Sequence, residues 1–177
     1  GNLKEIAVAE VDYQKSLSPY TITELQPMAT TSNALPYNDP LLKDQWHYQN
    51  TGQVSENKTD VNLFKAWETT TGSANVIVAV HDEGVDATHE DLRANMWVNN
   101  AELNGQPGID DDNNGFIDDV NGYNFARRTG KIDAGYHGTH VAGTVAAVTN
   151  NGKGVAGVAG GNGSGNGARI MSLQIFG

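Results

Sequence analysis

The chain contains no cysteine. That excludes disulfide staples, thiolate zinc sites and a thiol nucleophile, and it leaves the compartment open. Positive charge is scarce: 11 Lys and Arg stand against 21 Asp and Glu, for a formal net charge of −10. Such a balance disfavours nucleic-acid phosphates as partners and favours cations. No apolar run approaches the length of a membrane span, so no crossing segment is expected. The chain opens at Gly1 without a basic-plus-apolar signal segment, so its N-terminus reads as trimmed and any targeting peptide as out of view. The hydrophobic share, 38%, is low for a globular protein but well clear of a disordered composition.

A length of 177 residues fits a single domain able to bury a core. Residues 1–36 read apart from the rest. Ile6–Val11 suits a short strand, and the Ser/Thr/Pro-rich stretch Ser16–Leu35 is either a linker or an ordered arm. From Tyr37 the pattern tightens. Asp60 is expected to N-cap a helix through Val61, Phe64, Ala66 and Trp67, with Gly72 as a stop. Val76–Val80 is a continuous apolar run, expected to be a strand buried on both faces, and Ile170–Ile175 is a second. Between them a helix is predicted from His137 to about Thr149, with a short strand at Gly122–Phe125. Strands alternating with helices predict an α/β fold, a doubly wound parallel sheet flanked by helices. There is no internal repeat.

Two segments carry the chemistry. Val76-Ile77-Val78-Ala79-Val80-His81-Asp82-Glu83-Gly84 ends an apolar strand in a carboxylate and a turn, and Tyr136-His137-Gly138-Thr139-His140-Val141-Ala142-Gly143 opens a helix of small residues on an imidazole. Functional groups of open α/β sheets collect at the carboxyl ends of strands. Asp82 there can orient one nitrogen of His137, and Gly138, Ala142 and Gly143 allow close helix–strand packing. The positive end of the helix dipole is expected to disfavour protonation of His137 and keep it a base. An Asp, then a His, in that chain order are two thirds of a serine-hydrolase triad; no serine lies in the small-residue, helix-opening setting a nucleophile needs. A metal site on His137 and His140, spaced i and i+3, is the weaker alternative. No acidic residue of the zincin kind stands between the two.

A third segment, Asp110 to Asp119, reads D-x-D-x-N-G-x-x-D. Side-chain oxygens of Asp110, Asp112, Asn114 and Asp118, with the Phe116 carbonyl, match the start of an EF-hand-like calcium loop. Its twelfth position is Asn121 in place of a bidentate glutamate, so weaker affinity is expected. The glycine-rich run Gly160–Gly167 lacks the Lys-Ser/Thr of a phosphate cradle and reads as a flexible loop.

The motifs around Asp82 and His137 resemble those of the subtilisin-like serine proteases, the subtilases. The likeness extends to His89 with Asp91-Leu92, and to Asn38–His47, which is similar to the opening segment of convertase-like members. It spans roughly Asn38 to Ile175. It implies that residues 37–177 are the N-terminal half of a secreted, cell-surface or periplasmic endopeptidase domain, that residues 1–36 are a pro-domain tail or linker arm, and that the substrate is a polypeptide. It also implies a second Ca²⁺ site from Asp39, Asp91, Asn151 and the Val148, Lys153 and Val155 carbonyls, and it makes His140 a packing residue. The strand Val76–Val80 would pair with the C-terminal half; without that half its open edge favours a homodimer. Glu83 departs from the small hydroxyl residue usual after the aspartate; a second carboxylate there could raise the pKa of the histidine, but the side chain is expected to face solvent. The competing function is a truncated, non-catalytic calcium-binding or interaction module.

Overall fold

A computed structural model describes residues 35–54, 56 and 58–177. The expected strand at 6–11, and all but the last residues of the arm through 36, lie outside the described residues. Three strands, β1 (Ile77–Asp82), β2 (Gly122–Asn124) and β3 (Arg169–Gln174), form a parallel sheet in the order β1-β3-β2. The register sets Ile77 against Arg169 and Asp82 against Gln174, while Gly122 to Asn124 pair with Ser172 to Gln174. The helices are α1 (Leu63–Trp67), α2 (Asn100–Asn104) and α3 (Tyr136–Ala146), with 3-10 turns at Leu42–Asp44 and Arg93–Asn95. The α/β class and the parallel sheet match the sequence reading.

The core forms where α3 lies on β1 and β3. Ala142 and Ala146 on the helix meet Val80, Ile170 and Ala168 from the strand side, with Val85, Leu92 and Met96 closing the cluster. Small helix residues allow this approach, because each added methylene in a packed interior would force the layers apart. Asn95 ties the layers: its buried amide donates to the Ala146 and Gly160 carbonyls, both at 3.0 Å. A second cluster of Leu42, Tyr48, Leu63, Trp67 and Ala156 holds the opening segment. Gln45 bonds both sides of Ala156, accepting from its N–H at 2.8 Å and donating to its carbonyl at 2.9 Å. Tyr48 donates to the same carbonyl and Trp67 to that of Val158, each at 2.9 Å.

Three local expectations are corrected. Asp60 does not cap α1. The helix starts three residues later, behind Asn62 at φ 52°, and the Asp60 carboxylate instead accepts from Asn50 N–H and Asn62 N–H at 2.6 Å each. Its two oxygens are thus turned to Asn50 and to the N-cap residue itself rather than to the first helical turn. α3 ends at Ala146 rather than near Thr149, because Ala147 turns to extended backbone (ψ 138°) and Val148 N–H goes to the Asp91 carbonyl at 2.8 Å. The third concerns β1, which is not buried on both faces. Ile77 is 49% exposed and Val76, just before the strand, 52%, since among the described residues β3 covers one edge of β1 and α3 one face.

Candidate active site

β1 is apolar until His81 and delivers Asp82 at its carboxyl end, where the chain turns at Gly84 (φ 108°). A Cβ at Gly84 would lie 2.0 Å from the Asp133 carbonyl, so only glycine admits this turn beneath the segment leading into α3. α3 then seats its first turn against β1. A Cβ on Gly138 would come within 2.3 Å of the Gly84 carbonyl and 3.2 Å of the Asp82 Cβ. The result is a 2.7 Å contact between Asp82 Oδ2 and His137 Nδ1, made by a mostly shielded carboxylate and an exposed ring (side chains 13% and 71% exposed).

The second oxygen of Asp82 accepts the Glu83 backbone N–H at 2.7 Å. These two bonds, the backbone one first, hold the Asp82 carboxyl below its ordinary pKa. The same hydrogen bond, joined by the negative charges of Asp82 and then Glu83, raises His137 above its ordinary value. This reverses the expectation from the helix dipole: a partial charge at a helix end is outweighed by a full carboxylate at 2.7 Å. Glu83 also departs from expectation, because its Oε1 accepts the His137 backbone N–H at 2.5 Å instead of facing solvent. The metal reading of the histidines is not met. Nδ1 of His137 is taken by Asp82, while His140 is exposed rather than packed and lies against Tyr136, ring centroids 6.5 Å apart. Among the described residues His137 bonds to no hydroxyl group. A cleft of about 740 Å³, largely apolar, runs beside α3 past Tyr136, Thr139 and His140 toward Asp86 and Val155.

The acidic loop folds around a residue the sequence reading missed. Glu102, on α2 and buried, joins Asp110 and Asp112 in a group whose oxygens could share one cation. Its carboxylate accepts Asp111 N–H at 2.7 Å and Asp118 N–H at 2.8 Å. Asp118 is not in that group, and both its oxygens accept Gly108 N–H at 3.0 Å. Asn114 turns its Oδ1 to Phe116 N–H (2.7 Å) and its amide to Asp112 and Asp119 (3.2 Å). The ring of Phe116 packs on Tyr123 at 4.8 Å. Asn99 binds the carboxylates of Asp112 and Asp119 at 2.9 and 2.8 Å. The signal for α2 was present: Asn99 followed at three residues by Glu102 is the spacing of a capping box, and Asn99 does accept Ala101 N–H.

Of the residues implied as a second cation site, Asp39, Asp91 and Asn151 are linked by hydrogen bonds. Asp39 and Asp91 are 1% and 2% exposed and face the loop after α3. Asp39 accepts Asn150 N–H at 2.7 Å and Asn151 N–H at 3.2 Å; Asp91 accepts the Asn151 amide at 2.8 Å and Val155 N–H at 2.9 Å. Asn151 in turn accepts Lys153 N–H at 2.8 Å. Burial, reinforced by Asp39, raises the pKa of Asp91. Among the described residues no Lys or Arg pairs with either aspartate, and the Lys153 amine goes to Glu90 at 3.2 Å. Two buried carboxylates without a counter-charge, at a loop rich in backbone oxygens, fit a hard cation.

An Asp at a strand's end, a His at a helix mouth and a parallel sheet beneath them are the arrangement of one large class of serine hydrolases. The subtilase family model matches residues 73–174, and the chain belongs to that family. Subtilisin-like protease 1 of Plasmodium vivax is 40% identical over 131 residues, covering 73% of this chain and 20% of that protein. The extracellular basic protease of Dichelobacter nodosus is 38% identical over 152 residues, covering 79% of this chain and 23% of its own length. The solved Aeromonas sobria serine protease, in complex with its chaperone, superposes with a TM-score of 0.54 at 26% identity over 81% of this chain and 21% of that one. The chain thus spans about a fifth of the length of these relatives.

Proposed function

We propose that residues 37–177 are the N-terminal, Asp–His half of a secreted subtilisin-like endopeptidase domain, preceded in 1–36 by a pro-domain tail or linker arm. One observation carries this reading: the 2.7 Å Asp82–His137 bond at the carboxyl end of a parallel strand. In this role His137 takes the proton of a serine hydroxyl through its free Nε2 and returns it to the leaving amine. Asp82 fixes the tautomer and steadies the imidazolium. The serine and the oxyanion donors come from a segment outside this chain, and the open β1 edge and the apolar cleft along α3 are the surfaces it would cover. Without that segment, pairing of two copies through β1 takes its place. Extracellular proteases among the relatives support secretion. No helix among the described residues is long and apolar enough to cross a membrane.

Calcium is the cation we assign to both acidic groups. Asp39, Asp91, Asn151 and the carbonyls of Val148, Lys153 and Val155 would hold one ion; Asp110, Asp112, Glu102 and carbonyl oxygens of that loop would hold the other. Bound there, it supplies only charge neutralisation and cross-linking of distant segments.

The test joins this chain to the remainder of its catalytic domain and measures peptide hydrolysis. Asp82→Asn should lower kcat by about 10⁴-fold, and His137→Ala should abolish labelling by a serine-directed fluorophosphonate. Undiminished turnover in His137→Ala would refute the assignment.

A further inference from the structure

Helix α3 begins without a cap of its own. Its N-cap position is Gly135, which has no side chain to offer, and its first turn contains no acidic residue. An eleven-residue helix that includes two glycines, two threonines and two valines is weak in intrinsic propensity, and its first N–H groups need acceptors. One carboxylate reaches them from another element: Glu83 Oε1 on His137 N–H at 2.5 Å. The fold makes room for it at one place. A Cβ on Gly135 would fall 2.4 Å from the Glu83 Cγ and 2.9 Å from its Cδ, so any larger residue there would evict the carboxylate.

We infer that Glu83 is a positioning residue of the Asp82–His137 pair, capping α3 from the β1 turn and so fixing where the His137 ring stands. The inference rests on the catalytic reading of that pair. A single residue then braces both partners: its backbone N–H holds Asp82 Oδ1 and its carboxylate holds the backbone of His137. The arrangement also brings a second negative charge toward the imidazole. The charged groups facing that ring are Asp82 and Glu83. Asp133, in the segment leading into α3, is engaged by Arg127 at 3.2 Å, and Tyr136 and His140 on α3 pair with one another.

The experiment is an NMR titration of the His137 imidazole in the 177-residue chain, with amide exchange at His137 N–H. Glu83→Gln keeps an acceptor and removes the charge: His137 should titrate lower by about half a unit, with amide protection retained. Glu83→Ala should give the same lowered titration and exchange its amide at least several-fold faster. Gly135→Ala should behave like Glu83→Ala with Glu83 still present, an outcome that side-chain deletion alone would not produce. An unshifted His137 titration in Glu83→Gln, or unaltered protection in Glu83→Ala, overturns the inference. Asp82→Asn separates it from its foundation. If that variant leaves the titration of His137 unchanged, the dyad itself is wrong; if it lowers it while the Glu83 variants do not, only the role of Glu83 fails.

Discussion

Asp82 and His137 stabilise the fold in a window set by both partners. The folded His137 titrates above 6.5, so its contribution is complete below that unfolded value and is lost as pH rises through the folded one. The folded Asp82 titrates below 3.8, so its contribution is complete above 3.8 and is lost as pH falls through the depressed value. The pair therefore contributes most between these two reference values. Melting temperatures of wild type and Asp82→Asn should diverge most near pH 5 and converge toward both extremes. A constant gap from pH 3 to 9 would mean that the contact adds no pH-dependent stability. At Gly138, the site has no slack: Gly138→Ala should cost about 2 kcal/mol by driving its Cβ into the Gly84 carbonyl, 2.3 Å away. Denaturant unfolding would measure the loss.

At the scale of elements, β1 presents the main consequence. Its outer edge lacks a neighbour among the described residues, and Ile77 beside it is half exposed. Unpaired N–H and C=O groups on an apolar strand invite another strand. Sedimentation of the isolated chain should show self-association, which Ile77→Lys weakens; a monomer at all concentrations would contradict this. What could be read in advance divides along the same line. Asp82, His137 and the strand from Ile170 were legible because each sits in a local pattern: an apolar run, a turn, a helix mouth. The exposure of β1 was not, since an apolar run says nothing about how many neighbours the strand will find. Asp60 was misread because a capping residue and an Asx-turn residue look alike until the next three φ angles are known. Glu102 was missed as a member of the acidic cluster because it lies eight residues before Asp110, and the α2 turn brings them together.

For the whole molecule, the two acidic groups proposed as calcium sites would make stability conditional on a divalent cation. Calcium at 100 times its dissociation constant should add about 2.7 kcal/mol per site, a rise of roughly 5–10 °C in melting temperature for a chain of this size. Asp91→Asn and Asp110→Asn should each remove part of that rise, and both together nearly all of it. Calorimetry with calcium and with chelator tests this, and identical melts would dismiss both sites. The parallel sheet carries a different consequence, one of timing. Among the described residues β3 is the only partner of β1, and about 90 residues separate their first paired positions. At roughly 5–20 residues per second of synthesis, β1 waits about 5–20 s for a strand to pair with. Through that interval a ribosome carries an apolar segment, Ile77 to Val80, whose partner strand has not yet been translated. The nascent chain is therefore most exposed to aggregation before β3 emerges to pair with β1.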